Sequence, residues 1–294
     1  VRLAYLGTPD IAVPPLRALV EAGHEVRLVV SRADRRRGRG GALSPSPVKQ
    51  AALELGLPVT DDVDAVITSG AELGVVVAFG RIIKPHVLLA VPMINMHFSL
   101  LPRWRGAAPV ERAILAGDTV TGVCIMDVEE QLDTGKIHAE REVPIGPRTT
   151  ADELRQQLVT IGTELLLEVL ARPVRQCRPQ RGEVTYAEKL RPEELALDWS
   201  KPAVYLDRVV RVGGAWTTFR GKRLKVLEAL PDPQATGIEP GVLGADRATV
   251  GTAAGALRLV TVQPEGKQPM SWAAFSNGAR PQPGERFGTP PATP

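Results

Sequence analysis

Two polar residues that can act on one atom stand at the end of an apolar run, Ile94-Asn95-Met96-His97. Strand side chains alternate between faces, so Asn95 and His97 project from the same side. The Asn95 amide donates a hydrogen bond without titrating, which suits an oxygen that gains negative charge. His97 can donate to the same oxygen or carry a proton near neutral pH. A third polar group follows in the turn Leu132-Asp133-Thr134-Gly135. Aspartate before Thr-Gly is ordinary turn chemistry, and Asp133 gains catalytic meaning only beside Asn95 and His97. Directly after His97, the stretch Phe98-Ser99-Leu100-Leu101-Pro102-Arg103-Trp104-Arg105-Gly106-Ala107-Ala108-Pro109 is too polar for a core and too apolar for a linker. It suits a ligand with a flat apolar part.

A second group of residues is basic. Five arginines, Arg32, Arg35, Arg36, Arg37 and Arg39, crowd a segment that also holds Gly38, Gly40 and Gly41. Their mutual repulsion is relieved when something anionic gathers them, and arginine both bridges phosphates and stacks on bases. Arg220, Lys222, Arg223 and Lys225 form another basic face. The formal net charge is only +3, yet the pI is about 9.0 and the positive charge is clustered, as expected for a polyanionic partner. Cys124 and Cys177 are far apart, form no Cys-x-x-Cys and adjoin no histidine, which argues against a disulfide framework or a zinc site. No apolar run reaches bilayer length and the chain opens on a strand-like segment, so a soluble cytoplasmic protein is expected.

The elements that must position these groups read as an α/β chain of two domains, the default for 294 residues. Residues 3–6 form a strand, Val13, Leu16, Leu19 and Val20 recur at helical spacing before Gly23, and residues 26–30 form a second strand. This βαβ opening belongs to an open parallel sheet. Gly7 is followed by Thr8 and Pro9, so the Gly-x-Gly-x-x-Gly fingerprint of a dinucleotide fold is absent. Further elements are a helix at 50–55, a short strand at 59, a buried central strand at 75–78, a strand at 93–95, a helix at 109–116, strands at 122–127 and 136–143, and a helix at 152–170. No element is read for 61–74. A polar, proline-punctuated stretch at 172–201 acts as linker, and short strands follow at 216–219, 223–227, 241–243, 248–250 and 257–262. The expected division is a catalytic domain at 1–180, a linker at 181–206 and a C-terminal domain at 207–294.

These stretches together resemble the folate-dependent formyltransferases, and within them the branch that acts on methionyl-tRNA. Gly7-Thr8-Pro9-Asp10, residues 99–109 and Leu132-Asp133-Thr134-Gly135 carry the most specific resemblance, and Tyr186-Ala187-Glu188-Lys189-Leu190 with Asp198-Trp199 matches the interdomain stretch. The resemblance implies an open, mostly parallel Rossmann-like sheet followed by a small OB-like β-barrel that binds tRNA. It implies an active site of Asn95, His97 and Asp133, a folate loop of Ser99, Leu100, Leu101 and Pro102, and a basic loop with Arg36, Arg37 and Arg39 that enters the tRNA acceptor stem. Lys222, Arg223 and Lys225 then belong to the tRNA-binding barrel. The implied donor is 10-formyltetrahydrofolate, the implied acceptor is the amino group of methionine on initiator tRNA, and a monomer needing no metal is expected. The chain departs from the pattern at Phe98, at Val212-Gly213-Gly214-Ala215-Trp216, and in a shortened 61–74. Two alternatives stay open: a formyltransferase for a small amine such as a sugar nucleotide or glycinamide ribonucleotide, and a non-catalytic RNA-binding protein.

Overall fold

The computed structural model describes residues 1–37, 42–172 and 176–288. The chain falls into two compact units, one of Val1–Val110, Thr119–Ile145 and Glu153–Lys189, the other of Glu111–Asp118, Gly146–Asp152 and Leu190–Pro294.

The first unit opens with β1 (Arg2–Gly7), α1 (Val13–Glu21) and β2 (Glu25–Val30). Leu3, Ala4, Tyr5 and Leu6 are all 0% exposed, the continuous burial of a strand covered on both faces. Prolines at the first positions of α1 start the helix with no amide hydrogen to satisfy there. Gly7 has no side chain for a packing reason: a Cβ would lie 2.9 Å from that of Ala12 and 3.1 Å from the Val77 carbonyl oxygen. The arginine-rich segment forms a hairpin of β3 (Arg35–Arg37) and β4 (Ala42–Ser44), where the sequence reads only as a loop. Arg39 and the side chains of Arg36 and Arg37 lie outside the described residues. Helix α2 (Pro47–Glu54) follows, its N-terminus capped by the Ser46 hydroxyl accepting from Lys49 N at 3.0 Å.

After β5 (Val59–Thr60), the stretch without an assigned element is a short 3-10 turn at Asp64–Val66. Val63 and Val66 are buried there, so two valines and one turn do the covering that a longer helix would do. The rest of the unit comprises β6 (Leu73–Val77), α3 (Pro85–Ala90), β7 (Met93–His97), β8 (Arg105–Gly106), α4 (Pro109–Ala116), β9 (Val120–Asp127), β10 (Ile137–Pro144), α5 (Ala151–Ala171) and β11 (Tyr186–Ala187), with α4 and α5 each running across a unit boundary. The seven-stranded sheet has the order β10-β9-β7-β6-β1-β2-β5. Strands β7, β6, β1, β2 and β5 run parallel, and β9 and β10 add an antiparallel edge. β6 is central and wholly buried, as its β-branched run demands. Strand order reverses at β1, which pairs with β2 on one side and β6 on the other; ligands of open α/β sheets bind at the carboxyl edge of such a switch point.

The second unit contains α6 (Ala203–Val212), β12 (Trp216–Phe219), β13 (Lys222–Asp232), β14 (Thr249–Gly251), β15 (Ala256–Pro264), β16 (Met270–Ser271) and α7 (Trp272–Ala279). Its strands form a curled antiparallel sheet of order β12-β13-β15-β14 with β16 on β15, compatible with an OB-like barrel. The strand expected at 241–243 is instead a pair of isolated bridges, Val242 with Arg286 and Leu243 with Val250. Position 207, the expected start of the C-terminal domain, falls inside α6. Leu206, Val209 and Val210 of that helix pack with Trp199, Phe219, Trp272 and Phe287 in one core.

Asp207, 3% exposed, accepts from Arg148 at 2.5 Å and Arg211 at 2.9 Å, both within this unit. Removing one member of a buried ion pair leaves an uncompensated charge, here on Arg211, whose side chain is 9% exposed. Asp207→Ala is therefore expected to lower unfolding free energy by about 3–5 kcal/mol, read from the shift of a urea melt. Among the described residues no helix is long and apolar enough to cross a membrane.

Candidate active site

Asn95 and His97 sit on one face of β7, whose burial pattern leaves Asn95 partly exposed and His97 buried. Among the described residues the Asn95 side chain makes no hydrogen bond, so its amide is available to a ligand. His97 is held by its Nε2, which lies 2.9 Å from the carbonyl oxygen of Trp104. A carbonyl only accepts, so Nε2 carries the hydrogen, and the tautomer this selects has its bare nitrogen at Nδ1, on the other side of the ring. Facing Nδ1 at 3.7 Å is Asp133 Oδ2. That separation exceeds a hydrogen bond, and Oδ2 already accepts from Gly106 N at 2.8 Å. Two acceptors thus face each other across a gap that one shared donor can bridge.

The loop after β7 is built to hold this arrangement. The Ser99 hydroxyl donates to Arg103 O at 2.6 Å, and Trp104 N donates to Thr185 Oγ1 at 2.9 Å. β8 pairs with β11, so residues 186–187 fasten the loop from 81 positions on, inside the stretch the sequence presents as a linker. Gln180 clasps the acidic turn: its Nε2 donates to Asp133 O at 2.8 Å and Gly135 O at 2.9 Å, while its Oε1 accepts from Arg105. Trp104 and Asp133 both adopt left-handed backbone, φ +62 and +52, as does Ala78 at the end of β6, φ +46. Such strain in non-glycine residues gathers where geometry is held for a purpose.

Of the residues expected to form the folate loop, Ser99, Leu101 and Pro102 are buried and Leu100 is partly exposed. Leu101 packs under the loop with Cys124, Met126 and Ile137. Cys124, directly opposite His97 in the β7–β9 register, is 0% exposed, and burial pushes its thiol up to about 12. Beside β7, the carboxyl ends of β1, β2, β5 and β6 enclose a cleft of ≈ 630 Å³ lined by Thr8, Arg32, Asp61, Phe79 and Arg81 among others. Val77 of β6 pairs with Met96, so the end of that cleft is level with His97. Arg81 is held by Asp61 O at 2.7 Å, whereas Arg32 forms no ion pair among the described residues.

In the second unit, Lys222, Arg223 and Lys225 are exposed along β13. Lys225 lies opposite Trp216 and Arg223 opposite Thr218, and the Arg223 guanidinium stands 4.3 Å from the Trp216 ring centre. Arg220 leaves this face: it is bonded to Glu285 at 2.8 Å and to Ala279 O. The hydrogen bond from Arg220 to Glu285 raises the Arg220 pKa further and lowers that of Glu285.

The clasp by Gln180 and the anchoring by Thr185 and Trp104 O have no signature in the sequence, because the contacts join positions up to 81 apart. The family relation is plain. A family model described as "Formyl transferase" matches residues 1–170, more than half of the chain. The chain belongs to the formyl transferase family. A second model, "Formyl transferase, C-terminal domain", matches residues 189–280. The methionyl-tRNA formyltransferase of Symbiobacterium thermophilum is 44% identical, with 99% of this chain and 97% of the relative covered. That of Heliobacterium modesticaldum is 43% identical, with 98% and 100% covered. Among solved structures, an N-formyltransferase from Helicobacter canadensis, in complex with folinic acid and dTDP-3-aminofucose, has a TM-score of 0.66 at 16% identity, covering 90% of this chain and 99% of that one. HypX from Aquifex aeolicus, in complex with tetrahydrofolic acid, has a TM-score of 0.65 at 19% identity, covering 94% and 46%. At these identities the structural likeness establishes the formyltransferase fold.

Proposed function

We propose that the chain transfers the formyl group of 10-formyltetrahydrofolate to the amino group of methionine esterified to initiator tRNA, acting as a monomer in the cytoplasm without a metal. The observation that carries this is identity of 40–44% to methionyl-tRNA formyltransferases along nearly the whole of both chains, both family models included. The donor supplies an activated formyl carbon. Ser99, Leu100, Leu101 and Pro102 form the wall against which the folate is held, with Leu100 and Trp104 exposing apolar surface to its flat ring.

Three side chains do the chemistry in this reading. The unengaged Asn95 amide donates to the formyl oxygen as negative charge builds on it. The attacking amine's N–H is the donor that fits between His97 Nδ1 and Asp133 Oδ2, 3.7 Å apart. His97 takes the released proton at Nδ1, because its Nε2 hydrogen is committed to Trp104 O. Asp133 then stabilises the imidazolium, with Gly106 N keeping the carboxylate aimed, until that proton passes to N10 of the folate as the N10–formyl bond breaks and tetrahydrofolate leaves. An aliphatic α-amine with a pKa of about 7.7–8.0 is roughly one-fifth to one-third neutral near physiological pH, and esterification lowers the pKa further, so modest base strength is enough.

The acceptor's 3′ end is read here as entering the cleft at the ends of β1, β2 and β6. Adjacent strands are ~4.8 Å apart, so β7 and the cleft are separated by about the length of an aminoacyl ester. Arg32 lines that cleft and forms no ion pair among the described residues. Arg32→Ala is expected to raise the KM for charged tRNA about ten-fold with kcat nearly unchanged, since a phosphate contact contributes equally to ground and transition states. An unchanged KM would remove Arg32 from the acceptor path.

The direct test is incubation with 10-formyltetrahydrofolate and charged initiator tRNA, followed by assay of the formylmethionyl ester. Formylation of glycinamide ribonucleotide or an amino-sugar nucleotide, with none of the tRNA, would overturn the acceptor and leave formyl transfer standing.

A further inference from the structure

His138 has no role in the reading above, yet it is an awkward residue for a protein interior. Its side chain is 6% exposed and its Nε2 lies 2.7 Å from Asp127 Oδ1. Its Nδ1 is buried and has no hydrogen-bond partner among the described residues. A ring nitrogen left unpaired away from water opposes folding, and a leucine of similar reach would fill the space without that penalty. Packing therefore does not account for a histidine here.

The two partners stand at opposite ends of one connection. Asp127 is the last residue of β9 and His138 the second of β10; the residues between them include Asp133. The β9–β10 register shifts between Ile137 and Ala139, so His138 is the extra residue of a bulge, a device that re-aims a side chain. Asp127 N donates to Lys136 O at 2.9 Å. Gly135 rests so closely on Asp127 that a Cβ there would lie 1.9 Å from the Asp127 carbonyl oxygen. Gln180 then joins Gly135 O to Asp133 O. Asp127 is thus the floor of the turn that carries Asp133.

We propose that His138 is a positioning residue for Asp133: by gripping Asp127 across the neck of the β9–β10 connection, it holds the turn where Asp133 Oδ2 faces His97 Nδ1. The coupling runs through Asp127 and Gly135. It rests on the reading of Asp133 as the partner of His97, and it adds a residue 41 positions beyond His97 to the apparatus that sets that gap. A misplacement of about 1 Å in a reacting constellation lowers rates by up to ~100-fold, so a slackened turn is felt in turnover first.

The test is a set of kcat, KM and melting-temperature measurements on the full chain with 10-formyltetrahydrofolate and charged initiator tRNA. His138→Leu is expected to lower kcat about ten-fold, with both KM values and the melting temperature unchanged. His138→Gln, whose amide can still donate to Asp127, should recover at least about half of the parent kcat, and Asp127→Ala should repeat the loss. In an Asp133→Asn background, His138→Leu should cause no further loss, because what it positions is already gone. The proposal is overturned by parent kcat in either His138→Leu or Asp127→Ala. It is equally overturned by an undiminished ten-fold loss on top of Asp133→Asn, or by a loss that tracks melting temperature and is not rescued by glutamine. Parent kcat in Asp133→Asn alone would instead remove the reading of Asp133, and the proposal with it.

Discussion

His97→Ala is expected to lower kcat for formylation of charged initiator tRNA by at least about a hundred-fold while tRNA affinity stays within about two-fold. The ring is buried, fixed through Nε2 to Trp104 O, and offers Nδ1 to a gap shared with Asp133. Alanine removes the proton acceptor and leaves the cleft and the basic surfaces in place. Asn95→Ala and Asp133→Ala should fall in the same range, each through a contact made chiefly in the transition state. Single-turnover rates at saturating folate, beside equilibrium binding of charged tRNA, separate these effects. Near-parent turnover in any two of the three variants would refute the site.

The second large effect is expected from the arginine-rich hairpin. Replacing Arg36, Arg37 and Arg39 together by alanine should collapse kcat/KM on charged tRNA while folate binding, followed by titration, is unchanged. Each lost phosphate contact should also flatten the dependence of log affinity on log salt by about one unit. The β3–β4 pairing gives Arg35–Arg37 a strand backbone on which arginines can be presented to an acceptor stem. If the triple variant formylates charged tRNA as well as the parent at moderate salt, the hairpin is a solvated run of charge. A small amine would then become the better acceptor.

Much of the catalytic unit is legible in its sequence because the determinants are local. The β-branched run at 75–77 can only be a strand buried on both faces, and the run ending at His97 is a strand whose alternation puts Asn95 and His97 on one side. What the sequence hides is whatever depends on contacts across long separations. Gln180 reaches back 47 residues to Asp133, and Thr185 reaches back 81 to Trp104, so nothing near either residue announces its role. Helix α6 is a different kind of miss. Leu206, Val209 and Val210 do recur at helical spacing, but the polar, proline-rich stretch before them blurs its start. The hairpin at 35–44 lacks apolar alternation altogether, so no period-2 signal marks it as strand.

The burial of Cys124 gives the chain a built-in clock. Its sulfur lies beside His97 on the same face of the sheet, packed with Leu101 of the loop, with a thiol held far from ionisation, whereas Cys177, the second of the two cysteines, is exposed. A thiol-directed reagent should therefore modify Cys177 at once and reach Cys124 only when Leu101 and its loop lift from the strand beside the histidine. The slow phase of labelling then measures how often that loop opens, and its retardation by folate or by charged tRNA reports how firmly each substrate closes it.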